Sequence, residues 1–260
     1  MRIDVNTFIG AYPFRDIGQW DAPRLLDEMD QCGIDEAWVS HLPGVFWRDP
    51  MAGNAALYVA CRDHARLRPV PAIHPGLPGW SEALDEAAAL NAPAARCDPG
   101  CYGVAPAGAE MMALAARCGA TGMPLVLAVR LEDGRQRHPI DGSTELAPWM
   151  VRTLIRQHPA LRLIVTHAER EFVEQVHFGA TPEEAARILW DITWIWGPPE
   201  DHLATLLTTV GSARFTFGSG MPLRLGETSV AKLDLLDLSP AVRARIESEN
   251  VRAFARAPGR

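Results

Sequence analysis

The sequence lacks the features that mark membrane and secreted proteins. Its longest apolar run, residues 123–129, is far shorter than the roughly 20 residues that a membrane-spanning helix needs. Residues 1–6 enter an apolar alternation at once, without a basic segment followed by a long apolar one, and so predict no secretory signal. We therefore expect a cytoplasmic protein with no membrane partner.

Paired cysteines and clusters of basic residues are also missing. The chain has 5 cysteines and no Cys-X-X-Cys pair, which favours reduced thiols over a disulfide framework or a common zinc motif. Its 25 lysines and arginines are scattered, and the formal net charge is −7, so the sequence shows no basic surface for nucleic acid. The partners that remain are small molecules and other proteins, including a second copy of the same chain.

Short apolar, β-branched runs alternate with longer amphipathic segments from one end of the chain to the other. The predicted strands are residues 2–9, 36–41, 68–74, 94–98, 124–131, 162–167, 189–194 and 213–219. No G-X-G-X-X-G follows the first strand, as it often would in an open dinucleotide-binding sheet. Eight βα units in about 250 residues instead predict a parallel, eight-stranded (β/α)8 TIM barrel. We expect one such domain over residues 1–260.

Helix signals lie between these strands. Asp21 can cap a helix that carries Leu25 and Met29 on one face and ends at Gly33. Residues 145–158 repeat the helical pattern and end against Pro159. Each predicted strand thus has a helix to cover it.

Three histidines stand at the ends of three predicted strands: His41, His74 and His167. A TIM barrel builds its active site at the carboxyl ends of its strands, where such side chains would converge. The pattern favours a shared site that includes all three. The alternative is that each histidine only satisfies its own local packing.

The segment after the fifth strand is rich in titratable residues, including Asp133 and His138. A carboxylate such as Asp133 could orient His138 or His167 as a general base. The alternative is a solvated loop in which aspartate and arginine pair at the surface, where such pairs contribute little.

Arginines recur on the same predicted rim. Arg96 and Arg130 lie within apolar strands, where a buried charge needs a partner such as Asp98, Glu132 or Asp133. Because guanidinium groups bind carboxylates through two parallel hydrogen bonds, these arginines indicate a small anionic ligand. Aromatic residues of the rim loops could line its pocket or only pack the loops: Phe14, Trp20, Phe46, Trp47, Tyr102, Trp194 and Trp196.

Several motifs together resemble the amidohydrolase-related family, in the amidohydrolase 2 branch of metal-dependent TIM-barrel hydrolases and decarboxylases. Ile3-Asp-Val-Asn-Thr-Phe8 corresponds to the I-D-x-H-x-H of that family, and Phe217-Gly-Ser-Gly-Met-Pro222 to its F-G-S-D-x-P. His167 ends a strand like the strand-six histidine of the family. Asn250 is placed like the asparagine of the closing family motif, I-x-x-x-N-A-x-x-x-F.

The resemblance implies a metal held by two strand-one histidines, the strand-six histidine and the strand-eight aspartate. This chain has Asn6, Phe8 and Gly220 at three of those positions, and His167 is the only ligand retained. One imidazole does not hold zinc by itself, so we expect no metal and no other cofactor. A relocated zinc site could still be assembled from other residues: His41, His74, Asp98 and His138.

The leading hypothesis is an amidohydrolase-like hydrolase that acts, without the usual metal centre, on a small carboxylated or lactone-like molecule. Its predicted catalytic residues are His167, Asp133 and His138. Its predicted substrate-binding residues are Asn6, His41, His74, Arg96 and Arg130. Two alternatives stay open: a non-catalytic barrel that binds a metabolite or a partner protein, and a hydrolase or decarboxylase with a relocated metal site.

Overall fold

The computed structural model describes residues 1–255 of the chain, and residues 256–260 of the predicted domain lie outside the described part. The strands are β1 Ile3–Ile9, β2 Glu36–His41, β3 Leu67–Pro69, β4 Ala95–Cys97, β5 Leu125–Ala128, β6 Leu163–Thr166, β7 Ile188–Asp191 and β8 Phe215–Thr216. The helices are α1 Ala22–Gln31, α2 Asn54–Cys61, α3 Trp80–Ala89, α4 Pro99–Tyr102, α5 Ala109–Thr121, α6 Pro148–Gln157, α7 Arg170–His177, α8 Pro182–Ala185, α9 His202–Leu206, α10 Gly226–Asp234, α11 Pro240–Ala244 and α12 Asn250–Phe254.

The strands close into a (β/α)8 barrel, which confirms the predicted fold. Strands β1 to β3 pair in parallel, as do β4 to β8. The two groups are joined by a parallel bridge between Ala72 and Arg96. On the other side, the amide of Val5 donates to the carbonyl of Phe217 at 3.1 Å and links β1 to β8. The eight predicted strands are all present, most of them shorter than the sequence pattern indicated.

One end of the barrel interior is closed by the final helix. Val251 and Phe254 of α12 pack against inward-facing side chains of the strands, among them Val5, Trp38 and Ile164. Asn250 donates to the carbonyls of Ser212 and Phe215, both at 2.8 Å, and so fixes α12 to the eighth strand. The residue that supported the family resemblance therefore has a structural role.

The helix signals of the sequence are largely confirmed. The side chain of Asp21 accepts a hydrogen bond from the amide of Arg24 and caps α1, as predicted, and residues 145–158 contain α6. Within residues 1–255, none of the helices combines the length and apolar character needed to cross a membrane. Because all strands run in parallel, their carboxyl ends and the loops that follow them meet at one rim of the barrel.

Candidate active site

Asn6 lies at the centre of a buried polar network inside the rim. Its oxygen Oδ1 accepts a hydrogen bond of 2.9 Å from Nη2 of Arg96. Its nitrogen Nδ2 donates to Oδ2 of Asp191 at 2.8 Å and lies 3.1 Å from Nε2 of His167. Because Nδ2 can only donate, Nε2 of His167 must accept, which leaves the proton of a neutral imidazole on Nδ1.

Asp191, the last residue of β7, holds three neighbours of this network. Its Oδ1 accepts from the backbone amide of His167 at 3.0 Å, and its Oδ2 accepts from the hydroxyl of Thr193 at 2.6 Å. His167 has a φ of +58°, in the left-handed region, and the bond from its amide to Asp191 holds it there. Burial raises the pKa of Asp191, while its hydrogen bonds act in the opposite direction.

His167 is kept neutral by its surroundings. Burial is the main reason that its pKa lies well below the ordinary value, and the charges of Arg96, Arg224 and Arg130 lower it further. The side chain is 1% exposed, and Nδ1 has no hydrogen-bond partner among residues 1–255. A neutral imidazole with its lone pair on Nε2 can accept a proton from a reacting group that reaches this nitrogen.

Arg96 places a full positive charge inside the barrel. Its Cζ lies 4.4 Å from the ring centroid of Phe8, an attractive geometry for a cation and an aromatic face. Apart from Nη2, its guanidinium nitrogens have no hydrogen-bond partner within the described part of the chain. The carboxyl group of Asp98 is also buried, two residues along the chain. Burial raises the pKa of Asp98, opposed by the charge of Arg96.

Gly220 packs closely against this network and against Arg224. A Cβ atom built on it would lie 3.5 Å from Nε2 of His167 and 3.6 Å from Cδ of Arg224. The same atom would come within 2.8 Å of Cγ2 of Thr193, and the φ of Gly220 is +77°. The position that would carry the metal-binding aspartate in the family resemblance is thus shaped for a residue without a side chain.

A cleft of about 520 Å³ opens at the rim, and its lining includes Thr193, Trp194, Arg224 and Lys232. The Cζ atom of Arg224 lies 4.0 Å from the ring centroid of Trp194. Arg224 forms no ion pair or side-chain hydrogen bond with any residue in 1–255. Its guanidinium is therefore free to bind an anion that enters the cleft.

Lys232, on α10, adds a second cation to the cleft. Its Nζ donates to the carbonyls of Ile192 and Thr193 at 2.9 and 2.7 Å, which ties α10 to the loop after β7. Burial lowers the pKa of Lys232 to about 8, with Asp191 acting in the opposite direction. Arg224 and Lys232 are thus both positively charged near neutral pH.

The predicted residues of the fifth loop have other partners. Asp133 lines the cleft, but its carboxylate pairs with Arg135 at 2.8 Å rather than with a histidine. The imidazole of His138 stacks on Phe14 at 5.5 Å, and its Nδ1 accepts from the amide of Ile140. Arg130, which also belongs to this rim, pairs with Glu169 at 3.0 Å. The structure does not pair Asp133 with His138 or with His167.

The remaining two strand-end histidines organise their own loops. Nδ1 of His41 accepts from the amide of Gly44 at 3.2 Å, and Nδ1 of His74 accepts from that of Gly76 at 3.1 Å. The ring of His74 stacks on Tyr102 at 5.0 Å. No hydrogen bond joins either histidine to His167 in the described chain. Of the predicted site residues, the structure brings together Asn6, Arg96 and His167.

The two cations to which the cleft owes its proposed anion binding, Arg224 and Lys232, are absent from the sequence predictions. Arg224 follows the strand-eight motif in a rim loop, and this location is the one signal that could have identified it. Lys232 lies within an amphipathic helix, where a lysine is ordinarily taken for a surface residue. Of the aromatic side chains expected at the rim, Trp194 and Trp196 line the cleft.

The residues at the barrel centre do not fit a divalent metal. Within residues 1–255, no group of three or more histidine, cysteine, aspartate or glutamate side chains could hold a metal ion. At the positions implied by the family resemblance, the one imidazole of His167 is accompanied by an amide, an aromatic ring and a glycine. The guanidinium of Arg96 lies beside them, and its charge opposes that of a metal.

Comparison with known proteins places this architecture among characterised folds. The amidohydrolase family model matches residues 7–255. A 2,6-dihydroxybenzoate decarboxylase, solved with 2,6-dihydroxybenzoate, has a TM-score of 0.74 and 14% identity, with coverage of 97% of this chain and 98% of the other. A protein from Pseudomonas putida, provisionally named a 2-pyrone-4,6-dicarboxylic acid hydrolase, has a TM-score of 0.69 and 18% identity, with coverage of 97% and 96%.

A third similar structure contains a metal. It is a dihydroxybenzoic acid decarboxylase from Polaromonas, solved with manganese and the inhibitor 2-nitroresorcinol, with a TM-score of 0.73, 13% identity and coverage of 97% of this chain and 96% of the other. At identities this low, the structural likeness concerns the fold. No curated protein sequence matches this chain.

Proposed function

Because this chain belongs to the amidohydrolase family, we propose that it is a hydrolase acting on a small carboxylated or lactone-like molecule without the usual metal centre of that family. The observation that carries the proposal is the unpaired guanidinium of Arg224, stacked on Trp194 at the edge of the cleft. A planar carboxylated ring can stack against the indole while its carboxylate binds Arg224.

The similar structures support this class of ligand. Their names refer to 2,6-dihydroxybenzoate and to 2-pyrone-4,6-dicarboxylic acid, both of which are planar rings that carry carboxylates. The cleft of this chain has the corresponding features, since Arg224 and Lys232 supply positive charge and Trp194 an aromatic surface. Its volume of about 520 Å³ is within the usual range for small-molecule sites.

Hydrolysis of an activated ring ester needs a base and donors for the developing oxyanion. In the proposed reaction, the oxygen of water attacks the ring carbonyl while Nε2 of His167 takes the proton. The ring C–O bond then breaks, and the proton passes to the released oxygen. The position of Gly220 supports this role, because a Cβ atom built on it would lie 3.5 Å from Nε2 of His167 and 3.6 Å from Cδ of Arg224, which lines the cleft.

The other predicted residues take supporting roles in this proposal. Asn6 and Arg96 orient His167, and Asn6 must release Nε2 before the imidazole can accept a proton. Arg130 supports the cleft through Trp194, since its Cζ lies 5.4 Å from the centroid of that ring. Asp133 borders the cleft, whereas His41, His74 and His138 form the surrounding loops.

The proposal is tested by hydrolysis of a panel of carboxylated lactones, including 2-pyrone-4,6-dicarboxylate, with chelator and with added manganese. We expect turnover that chelator does not abolish. Arg224→Met should raise KM, His167→Gln should lower kcat, and Arg62→Met, which removes an exposed charge far from the cleft, should change neither. Equal kcat for His167→Gln and the parent would remove His167 from the mechanism.

A second candidate function is binding without catalysis. It is favoured by the burial of His167, which is 1% exposed and whose Nε2 is already occupied by Asn6. In that case, the same carboxylated rings would raise the melting temperature of the parent but not that of Arg224→Met, and no product would form at saturating ligand. Product formation by the parent rules this candidate out.

A further inference from the structure

The barrel centre contains a cation that belongs to the protein. Arg96 is 1% exposed, and a buried guanidinium is costly unless its surroundings stabilise the charge. Here Nη2 donates to Oδ1 of Asn6, and Cζ lies 4.4 Å above the ring of Phe8. The carboxyl group of Asp98 is buried two residues along the chain, and the charge of Arg96 favours its ionised form although burial raises its pKa.

Asn6 and Phe8, which contact Arg96, occupy two positions at which the family resemblance places metal ligands. Asn6 presents an oxygen to the guanidinium, and Phe8 presents the negative face of its ring. Both arrangements suit a cation with hydrogen-bond donors and do not suit a metal that needs two imidazoles. The two residues that replace metal ligands are therefore the residues that bind the guanidinium of Arg96.

We infer that Arg96 takes the place of the metal ion at the barrel centre and excludes divalent cations from it. The guanidinium is part of a side chain of β4 and is held by two residues of β1, so it cannot leave as a bound ion can. Its two unpartnered nitrogens, Nε and Nη1, are donors. The centre thus accepts oxygen lone pairs, such as those of water or a carboxylate, rather than supplying ligands to a metal.

A small cavity beside Asp98 has room for one water molecule. It lies beside Asp98, Cys101 and Ala128 and has a volume of about 10 Å³, which is about the space of one water molecule. Both carboxylate oxygens of Asp98 are without a hydrogen-bond partner among the residues described. A water molecule in this cavity would donate hydrogen bonds to the carboxylate oxygens of Asp98.

Restoring the missing ligands tests the inference directly. The double variant Asn6→His/Phe8→His adds two imidazoles to His167, and three histidines with an open position form a common zinc site. We expect this variant to remain nearly free of zinc, because Arg96 repels the ion. The triple variant with Arg96→Met in addition should bind one equivalent at least about 100-fold more tightly. Dialysis against zinc followed by elemental analysis measures the difference.

The matched control replaces Arg96→Met by Arg62→Met on the same double variant, because this removes an equal charge from an exposed site. Equal zinc content with and without Arg96, whether full or absent, overturns the inference, provided that circular dichroism shows folded protein. If the variants do not fold, the metal content of the parent protein after metal loading is the test. About one equivalent of zinc or manganese per chain would overturn the inference. Neither readout depends on whether a ligand of the cleft is hydrolysed.

Discussion

Oδ1 of Asn6 accepts a hydrogen bond of 2.9 Å from Nη2 of Arg96, across 90 residues of sequence. This bond fixes the orientation of the amide, since only its oxygen can accept from a guanidinium. Its nitrogen is therefore directed to Asp191 and His167. One side chain thus connects a buried cation, a buried carboxyl group and a buried imidazole.

Asn6→Asp should destabilise the protein. The new carboxylate can still accept from Arg96, but it loses the donor to Asp191 and places two acidic groups in contact inside the barrel. We expect the free energy of unfolding to fall by about 1–3 kcal/mol at neutral pH, which is the usual cost of an unsatisfied buried polar group. Urea denaturation measures this change. An unchanged midpoint and slope would mean that the network contributes nothing to stability.

Gly220→Ala should also destabilise the protein, by about 1–3 kcal/mol. The substitution places a Cβ 2.8 Å from Cγ2 of Thr193 at a position with a φ of +77°, and strained backbone conformations of this kind cost about this much. Gly134→Ala is the control, since nothing lies within 4 Å of its Cβ position. Adding Thr193→Ser to Gly220→Ala keeps the hydroxyl but removes the methyl group, and should restore part of the loss. If Thr193→Ser restores none of the lost stability, the whole loss is due to backbone strain at residue 220.

The stability of the protein should depend on pH through the lowered pKa of the buried His167. The pKa of His167 is well below its ordinary value of 6.5 in the folded protein, so below about pH 6.5 the unfolded chain binds a proton that the folded one does not. Stability should therefore decrease as the pH falls through this range, and less steeply in His167→Gln. Urea titrations between pH 5 and 8 give the comparison. Parallel curves for the two proteins would show that His167 titrates normally.

Anion binding in the cleft should weaken at alkaline pH. The pKa of Lys232 is about 8, so above this value the free protein loses one of two charges that attract a carboxylate. The dissociation constant of a bound aromatic carboxylate should rise between pH 8 and 10, as measured by calorimetry. Lys232→Arg keeps its charge and should give a flatter profile. The same slope in both proteins would exclude Lys232 as the source.

The sequence was sufficient for the fold because strand and helix periodicity depends on near neighbours. The capping of α1 by Asp21 and the family motifs around Asn6 and Gly220 are local in the same sense. The bond between Asn6 and Arg96 is not local, and the pattern of β4 indicated only that a buried arginine needs a partner. Carboxylates were the expected partners. The direct contacts of Arg96 are instead an amide and an aromatic ring, and Asp98 acts on it only through charge.

The cleft was the least predictable part. Arg224 and Lys232 belong to a loop and a helix whose sequence patterns do not indicate function, and they come close together only because β7 and β8 lie side by side. Asp133 shows the opposite difficulty. It stands in a conspicuous motif, yet Arg135, two residues away, binds its carboxylate and holds its pKa below the usual range.

The ring centroid of Trp194 lies 4.0 Å from Cζ of Arg224 and 5.4 Å from Cζ of Arg130. The emission of an indole responds to nearby charge, because excitation shifts electron density across the ring. A carboxylate bound to Arg224 would neutralise one of these two charges. The cleft thus contains its own optical reporter, which converts occupancy by a colourless acid into a change of fluorescence.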